Sequence, residues 1–246
     1  MAASVTVGEQ SAPVRETSKR LPNWVAIVLI AVALIYALLA GLRTLTDFDL
    51  GWQLATGRWV VHHNRIPSTD VFSYIAQGQP WVYPVGSGLL FYAAFLMGGY
   101  GLLSCLGAAA CVGSVGLLLR RGSTATSALA MLAMPLIAAR MAPRADMFTV
   151  ILFSAFLSLL WEQFQTGHAK LWLLPGLMVA WVNLHLRFFA GFAQIGAYVG
   201  IELLEMLFGA KRRASAVERI KRAWPWLLAV VAATLVNPWG GSSTWH

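Results

Sequence analysis

The sequence predicts an all-α, polytopic membrane protein that crosses a bilayer with about seven helices. Hydrophobic residues make up 58% of the 246-residue chain and charged residues only 11%, whereas soluble domains contain about 25% charged residues. The apolar runs are continuous rather than alternating, which favours helices over a β-barrel. The runs that approach spanning length are residues 24–42, 102–119, 124–139, 147–161, 171–182, 188–208 and 224–236.

The positions of Lys and Arg predict how these helices are oriented. The N-terminal tail (1–23), the Arg120–Arg121 pair and the basic loop 210–223 all face the cytoplasm if the Gly-rich stretch 84–101 does not cross the bilayer. If 84–101 crosses, the later basic segments fall outside. We therefore predict that 84–101 is an interfacial or re-entrant helix, or a helical hairpin, within a long outer loop, 43–101.

The net charge of +8 follows from these short basic segments, so topology explains it without a nucleic-acid partner. The chain contains no phosphate-binding glycine loop, nucleophile elbow, zinc-protease motif or CxxC framework, which excludes the common soluble hydrolases and nucleotide-binding proteins. Polar groups capable of chemistry instead collect in the predicted outer segments.

The first such group follows the first apolar run, in "RTLTDFDLGWQLATGRW". Residues 49–63 predict an interfacial helix with Trp52 and Trp59 toward the lipid headgroups. Asp47 and Asp49 begin this helix, where a carboxylate interacts favourably with the N-terminal dipole. The alternative to a capping role is a base or metal ligand, poorly solvated at the membrane surface.

A second group lies in the turn "ARMAPRADMF". Asp146 directly precedes an apolar helix and could be its N-cap, or could pair with an arginine to hold the turn. The alternative is an anion site in which Arg140 and Arg144 hold a phosphate and Asp146 supports a metal or an acceptor.

A third group interrupts almost forty apolar residues at "WVNLHLRF", where two helices must meet. Polar side chains at membrane depth indicate function, although hydrogen bonding at a helix end is an alternative. The candidates there are Asn183, His185 and Arg187. In the outer loop, His63 is either a plain interfacial histidine or a further site residue.

In this order, the segments resemble those of GT-C glycosyltransferases, integral-membrane enzymes that use polyprenyl-phosphate-linked sugars. The resemblance rests on the acidic motif "TDFDLGW" after the first apolar run, the amphipathic helix that follows, and an R-x5-D motif from Arg140 to Asp146. The stretch "DLGWQLATGRWVVHHNRIPSTDVFSYIAQGQPW" and the segments "WVNLH" and "LVNPWG" are similar to those of uncharacterised bacterial members. The resemblance to this family covers residues 24–240.

This resemblance implies inverting sugar transfer from a polyprenyl-phosphate donor to an unidentified acceptor. The reaction would take place at the periplasmic or extracellular face of the inner cell membrane, with membrane lipid as the surrounding partner and no nucleic acid. Asp49, and Asp47 as second choice, would act as the base or orient the acceptor.

The resemblance also implies roles for the later candidates. Arg140, Arg144 and Arg187 would hold the donor phosphate. In some members the second acidic position helps to hold a divalent metal ion, a role that falls here on Asp146 together with Asp49. Further support for the acceptor or metal would come from His63, His185 and Asn183.

Two departures limit what the resemblance implies. Family members often have small residues after "NLH", whereas this chain has "LRFF", and they usually continue well beyond its last residues, 241–246. The expected domain is therefore residues 24–240 as an N-terminal module or truncated form. Alternatives are a non-catalytic lipid-binding or lipid-transport protein on the same scaffold, an inactive fragment, and a small-solute transporter. A transporter is the least expected, since its polar groups would lie near the midplane.

Overall fold

The computed structural model describes residues 23–42, 48–119, 132, 144–209 and 212–238. Within these ranges the regular structure is helical, which confirms the all-α prediction. The helices are α1 (Asn23–Gly41), α2 (Phe48–His63), α3 (Gly86–Leu119), α4 (Ala145–Thr166), α5 (Leu173–Leu184), α6 (Phe189–Phe208) and α7 (Arg213–Ala233), with a 3₁₀ turn at Leu186–Phe188 before α6.

Three of the described helices are long and apolar enough to cross a membrane, namely Gly86–Leu119, Ala145–Thr166 and Leu186–Phe208. Large apolar residues are exposed at the end of α6, where Leu207 and Phe208 are 74% and 82% exposed, as expected for a helix that contacts lipid. These three helices indicate a membrane protein. The prediction of about seven crossings is not confirmed.

The other predicted spans differ in what the structure shows of them. The 12 residues of α5 extend only about 18 Å, less than the hydrocarbon core of a bilayer. The predicted span 224–236 is largely the second half of α7, whose first half is strongly basic. The predicted span 124–139 lies, apart from Leu132, outside the described residues.

The sequence predicted a basic loop over residues 210–223. This prediction is wrong for most of the segment, because α7 already begins at Arg213. Ala216 and Ala223 on this helix are fully buried, and Arg222 pairs with Glu218 one turn earlier at 3.0 Å. Buried small residues and an i,i+4 ion pair both stabilise a helix. They explain why α7 extends into the basic segment that was predicted to be a loop.

Helix α3 is two helices joined at a bend. Gly98 and Gly99 have non-helical dihedrals, and Gly99 has a φ of +59°, a backbone conformation that glycine adopts at no steric cost. Phe91 contacts Phe148, while Gly113 lies against Ile151, so both halves reach the same two turns of α4. A straight helix would separate positions 91 and 113 by about 33 Å.

The stretch 84–101 is thus helical from Gly86, as predicted, and its part before the bend is only about 18 Å long. That is shorter than the hydrocarbon core of a bilayer, about 30 Å. That this stretch does not cross stays a prediction.

Two hydrophobic clusters hold the helices together, and α4 belongs to both. The first joins α1, α2 and α3 to Met147 at the start of α4. The second joins α4 to α5, α6 and α7 around Phe156 and Trp181, whose rings meet edge to face at 5.6 Å. The first turn of α4 is consequently fixed from both sides.

Helix α2 has the bounds that the sequence predicted, within one residue. Its tryptophans were predicted to point toward lipid headgroups, but both contact aromatic residues of the protein. Trp52 stacks on Trp81 at 5.2 Å, and Trp59 contacts Phe72 at 6.5 Å. The loop 64–85 is folded over α2, because the Asp70 carboxylate accepts bonds from the backbone N–H groups of Phe72 and Ser73.

Candidate functional site

A polar cavity of about 230 Å³ lies where the first turns of α2 and α4 meet the end of α5. Its acidic, basic and histidine side chains come from three separate segments: Asp49, Arg144, Asp146, His185 and Arg187. All five were candidates from the sequence. They come together because each lies at the end of a helix, and the ends of packed antiparallel helices meet in space.

Asp146 is the most strongly held member. Its side chain is 11% exposed and pairs with Arg144 at 2.8 Å and with Arg187 at 3.3 Å. His185 places Nε2 3.5 Å from the same carboxylate. Of the two structural alternatives that the sequence left open, Asp146 is not the N-cap, because Arg144 occupies that position and Asp146 lies inside the first turn, whereas the Arg–Asp pair in the turn is present. A carboxylate there is still favoured by the helix dipole.

Asp49 lies in the first turn of α2 and is far more open, with its side chain 70% exposed. The protein therefore does not shield it to the extent that the sequence analysis expected. Its Oδ2 atom is 3.8 Å from Nη1 of Arg144, so the guanidinium lies between the two acidic side chains. The two arginines and two aspartates of the cavity sum to no net charge.

His185 caps the C-terminus of α5 and is partly buried. Burial lowers its pKa below the ordinary 6.5, and the neighbouring guanidinium groups of Arg187 and Arg144 lower it further, against the opposing effect of Asp146. The imidazole is consequently neutral at neutral pH.

The sequence analysis missed a polar pair in the cavity wall. Ser87, at the start of α3, donates a hydrogen bond of 2.8 Å to the side-chain oxygen of Gln53 on α2. Both side chains are buried, and both line the cavity. Neither residue type is unusual in such a segment, so only the packing of α2 on α3 identifies them.

Two predicted site residues lie away from the cavity lining. His63 stands in the last turn of α2, about 21 Å along the helix from Asp49, where it stacks on Trp59 at 4.2 Å. The Asn183 amide donates to the carbonyls of Val179 and Val236 at 2.8 and 2.7 Å. Asn183 thus ties α5 to the segment just after α7, which is the hydrogen-bonding alternative that the sequence left open. Asp47 and Arg140 lie outside the described residues.

The arrangement does not fit a divalent metal ion shared by Asp49 and Asp146. A guanidinium already lies between their carboxylates, and Arg187 reaches Asp146 as well. A metal ion there would be repelled by both cations and would have to displace Arg144 from each carboxylate. Within the described ranges, no three His, Cys, Asp or Glu side chains cluster in a way that could hold a metal ion.

Comparisons of the chain with protein families, with curated proteins and with solved structures find no match. The chemistry of the cavity is therefore what supports a function for this protein.

Proposed function

We propose that this protein is a membrane glycosyltransferase that transfers a sugar from a polyprenyl-phosphate donor to an acceptor hydroxyl at the outer face of the inner membrane. The acceptor oxygen forms a bond to the sugar's anomeric carbon while the bond from that carbon to the phosphate oxygen breaks. Polyprenyl phosphate leaves, and the acceptor's proton passes to a carboxylate.

One observation carries this proposal: an open carboxylate, Asp49, and two arginines line one small cavity at the end of membrane-type helices. A guanidinium is suited to binding phosphate oxygens in a bidentate manner. The first turn of α4 adds backbone N–H groups and a helix dipole that both favour an anion. A phosphate headgroup therefore has partners there, while its lipid chain stays beside the apolar helices.

The two carboxylates take different roles. Asp146 is buried against Arg144, Arg187 and His185, so its hydrogen-bonding capacity is already used to orient them. Asp49 is open to the cavity, with its side chain 70% exposed, and its Oδ2 atom lies 3.8 Å from Arg144. We assign the general base to Asp49 and the orientation of the arginines to Asp146.

The test measures release of polyprenyl phosphate from a panel of polyprenyl-phosphate sugars in membranes that contain the protein. Asp49→Asn should lower the rate by about 10²–10⁴-fold, the usual contribution of a general base. Arg144→Ala should raise the donor concentration needed for half-maximal rate, because a charge-assisted contact to phosphate is lost. Glu218→Gln is the matched control, since it neutralises an exposed carboxylate on α7.

Near-normal transfer by Asp49→Asn would show that this carboxylate only caps α2. If the wild-type protein binds polyprenyl phosphate but transfers no sugar from any donor, the alternative is correct and the protein is a lipid-phosphate-binding or lipid-transport protein on this scaffold.

A further inference from the structure

Thr149 lies one turn after Asp146 on α4 and contacts two side chains of the α5 region. Its hydroxyl oxygen is 3.1 Å from the indole nitrogen of Trp181 and 2.6 Å from Nδ1 of His185. Trp181 is fully buried. The other ring nitrogen of His185, Nε2, is 3.5 Å from Asp146. These four groups form a continuous chain from the core to the cavity.

The chemistry of the donors gives this chain a direction. An indole N–H can only donate, so Thr149 accepts from Trp181. The single hydroxyl hydrogen of Thr149 then remains available for Nδ1 of His185. A neutral imidazole that accepts at Nδ1 carries its proton on Nε2, which faces the Asp146 carboxylate.

The opposite tautomer is disfavoured at both ends of the chain. A proton on Nδ1 would leave the lone pair of Nε2 facing a carboxylate oxygen at 3.5 Å, which is repulsive. It would also make Thr149 accept from two donors, so its own hydrogen would lose His185 as a partner.

We infer that Trp181 and Thr149 form a hydrogen-bond relay that fixes His185 as the Nε2–H tautomer and thereby positions Asp146. His185 is a positioning residue in this relay. The groups that face it are Asp146 and Arg144 at the start of α4, Arg187 on the 3₁₀ turn, and Thr149. The lowered pKa of His185, caused chiefly by burial, agrees with the neutral form that the relay requires.

The consequence for the site rests on the proposed function. One carboxylate oxygen of Asp146 contacts Arg144, and the other contacts His185 and Arg187. Removal of the relay frees the imidazole to turn, so Asp146 loses a polar neighbour at 3.5 Å and Arg144 is held less firmly. Because Arg144 is assigned to the donor phosphate, loss of the relay should act on donor binding rather than on proton removal by Asp49.

The tautomer can be measured directly, without an assay. We would label histidine with ¹⁵N, assign His185 by its loss in His185→Gln, and read the protonated nitrogen from the ¹⁵N shifts of the detergent-solubilised protein. Wild type and Thr149→Ser, which keeps the hydroxyl, should show Nε2–H. Thr149→Val should show a mixture of tautomers.

Ser154→Ala is the matched control, because it removes a hydroxyl from the same helix that bonds only to the Val150 carbonyl among the described contacts. It should leave the His185 signals unchanged. An Nδ1–H tautomer in the wild type, or unchanged signals in Thr149→Val, would overturn the relay. The wild-type spectrum decides the tautomer even if a variant fails to fold.

Kinetics then separate the relay from the proposed function. Thr149→Val should raise the KM for the lipid donor by about tenfold or less, the effect of one hydrogen bond, and change kcat little, whereas Thr149→Ser should behave as wild type. If the tautomer is Nε2–H but the wild type transfers no sugar, the proposed function fails while the relay stands. A fall in kcat with an unchanged KM would contradict the role assigned to Asp146.

Discussion

Arg144 is the residue on which the geometry of the cavity depends. Its Nη2 atom is 2.8 Å from Asp146 and its Nη1 atom 3.8 Å from Asp49, so one planar group is shared by a buried and an open carboxylate. A lysine could not replace it, because an ammonium presents a single charged centre rather than a rigid fork. The difference in burial between the two aspartates therefore sets their different roles.

At the same scale, His185 predicts how stability depends on pH. Its pKa is lowered in the folded protein by burial, so as the pH falls below about 6.5 the unfolded chain binds a proton that the folded protein does not. Stability is consequently full above about pH 6.5 and falls on acidification. Between about pH 7.5 and pH 5.5 the wild type should therefore lose more stability than His185→Gln.

The measurement is the unfolding midpoint of both proteins in detergent at the two pH values. His62, His63 and His168, which are exposed, are present in both proteins and so cancel. An equal acid-induced loss in the wild type and in His185→Gln would show that burial of His185 does not affect stability.

At the scale of helices, the contact between α2 and α3 depends on two glycines. A Cβ atom at Gly57 would lie only 2.1 Å from the carbonyl oxygen of Gly88, and a Cβ at Gly88 would lie 2.8 Å from that of Gln53. The two backbones therefore touch, and this close approach brings Ser87 against Gln53 in the cavity wall. Small residues serve the same purpose wherever helices pack tightly in membranes.

Gly57→Ala should therefore separate α2 from α3 and lower the free energy of unfolding by about 1–3 kcal/mol, the usual cost of overpacking. Gly51→Ala is a matched control on the same helix, because nothing lies within 4 Å of its added Cβ. It should be neutral or stabilise by up to about 1 kcal/mol through helix propensity. Thermal unfolding in one detergent measures both, and equal midpoints for the two variants would refute the close contact.

At the scale of the whole molecule, the two ends of the bundle differ in character. The cavity lies at the start of α4, whereas a separate ion-pair cluster meets α4 at Gln163, about 26 Å along the helix from Asp146. There Arg219 of α7 makes two 2.7 Å bonds to Glu202, which is fully buried on α6. Gln163 of α4 joins this cluster through the Arg219 carbonyl.

This separation sharpens the topology prediction. In a variant without Cys105 and Cys111, single cysteines at Asp49 and at Arg213 should be labelled by an impermeant maleimide from opposite sides of the membrane. Asp49→Cys should react in intact cells, and Arg213→Cys only after the membrane is opened, because the basic segment is expected to stay in the cytoplasm. Labelling of both positions in intact cells would refute the orientation.

The sequence by itself determined the class of the protein and most of the site candidates. Continuous apolar runs require helices, since a backbone in lipid must satisfy its own hydrogen bonds. The bounds of α2 followed from local periodicity, and Asp49, Arg144, Asp146, His185 and Arg187 were identified because each is a polar residue at the end of an apolar run.

Only the tertiary structure decided how these residues are paired. The sequence could not show that Arg144 lies between two carboxylates, that His63 lies away from the cavity, or that Thr149 links Trp181 to His185. Nor could the sequence locate the bend at Gly99, which allows both halves of α3 to contact α4. Hydropathy and helical period are local properties, whereas these features depend on contacts between residues far apart in the chain, which form only when the helices pack.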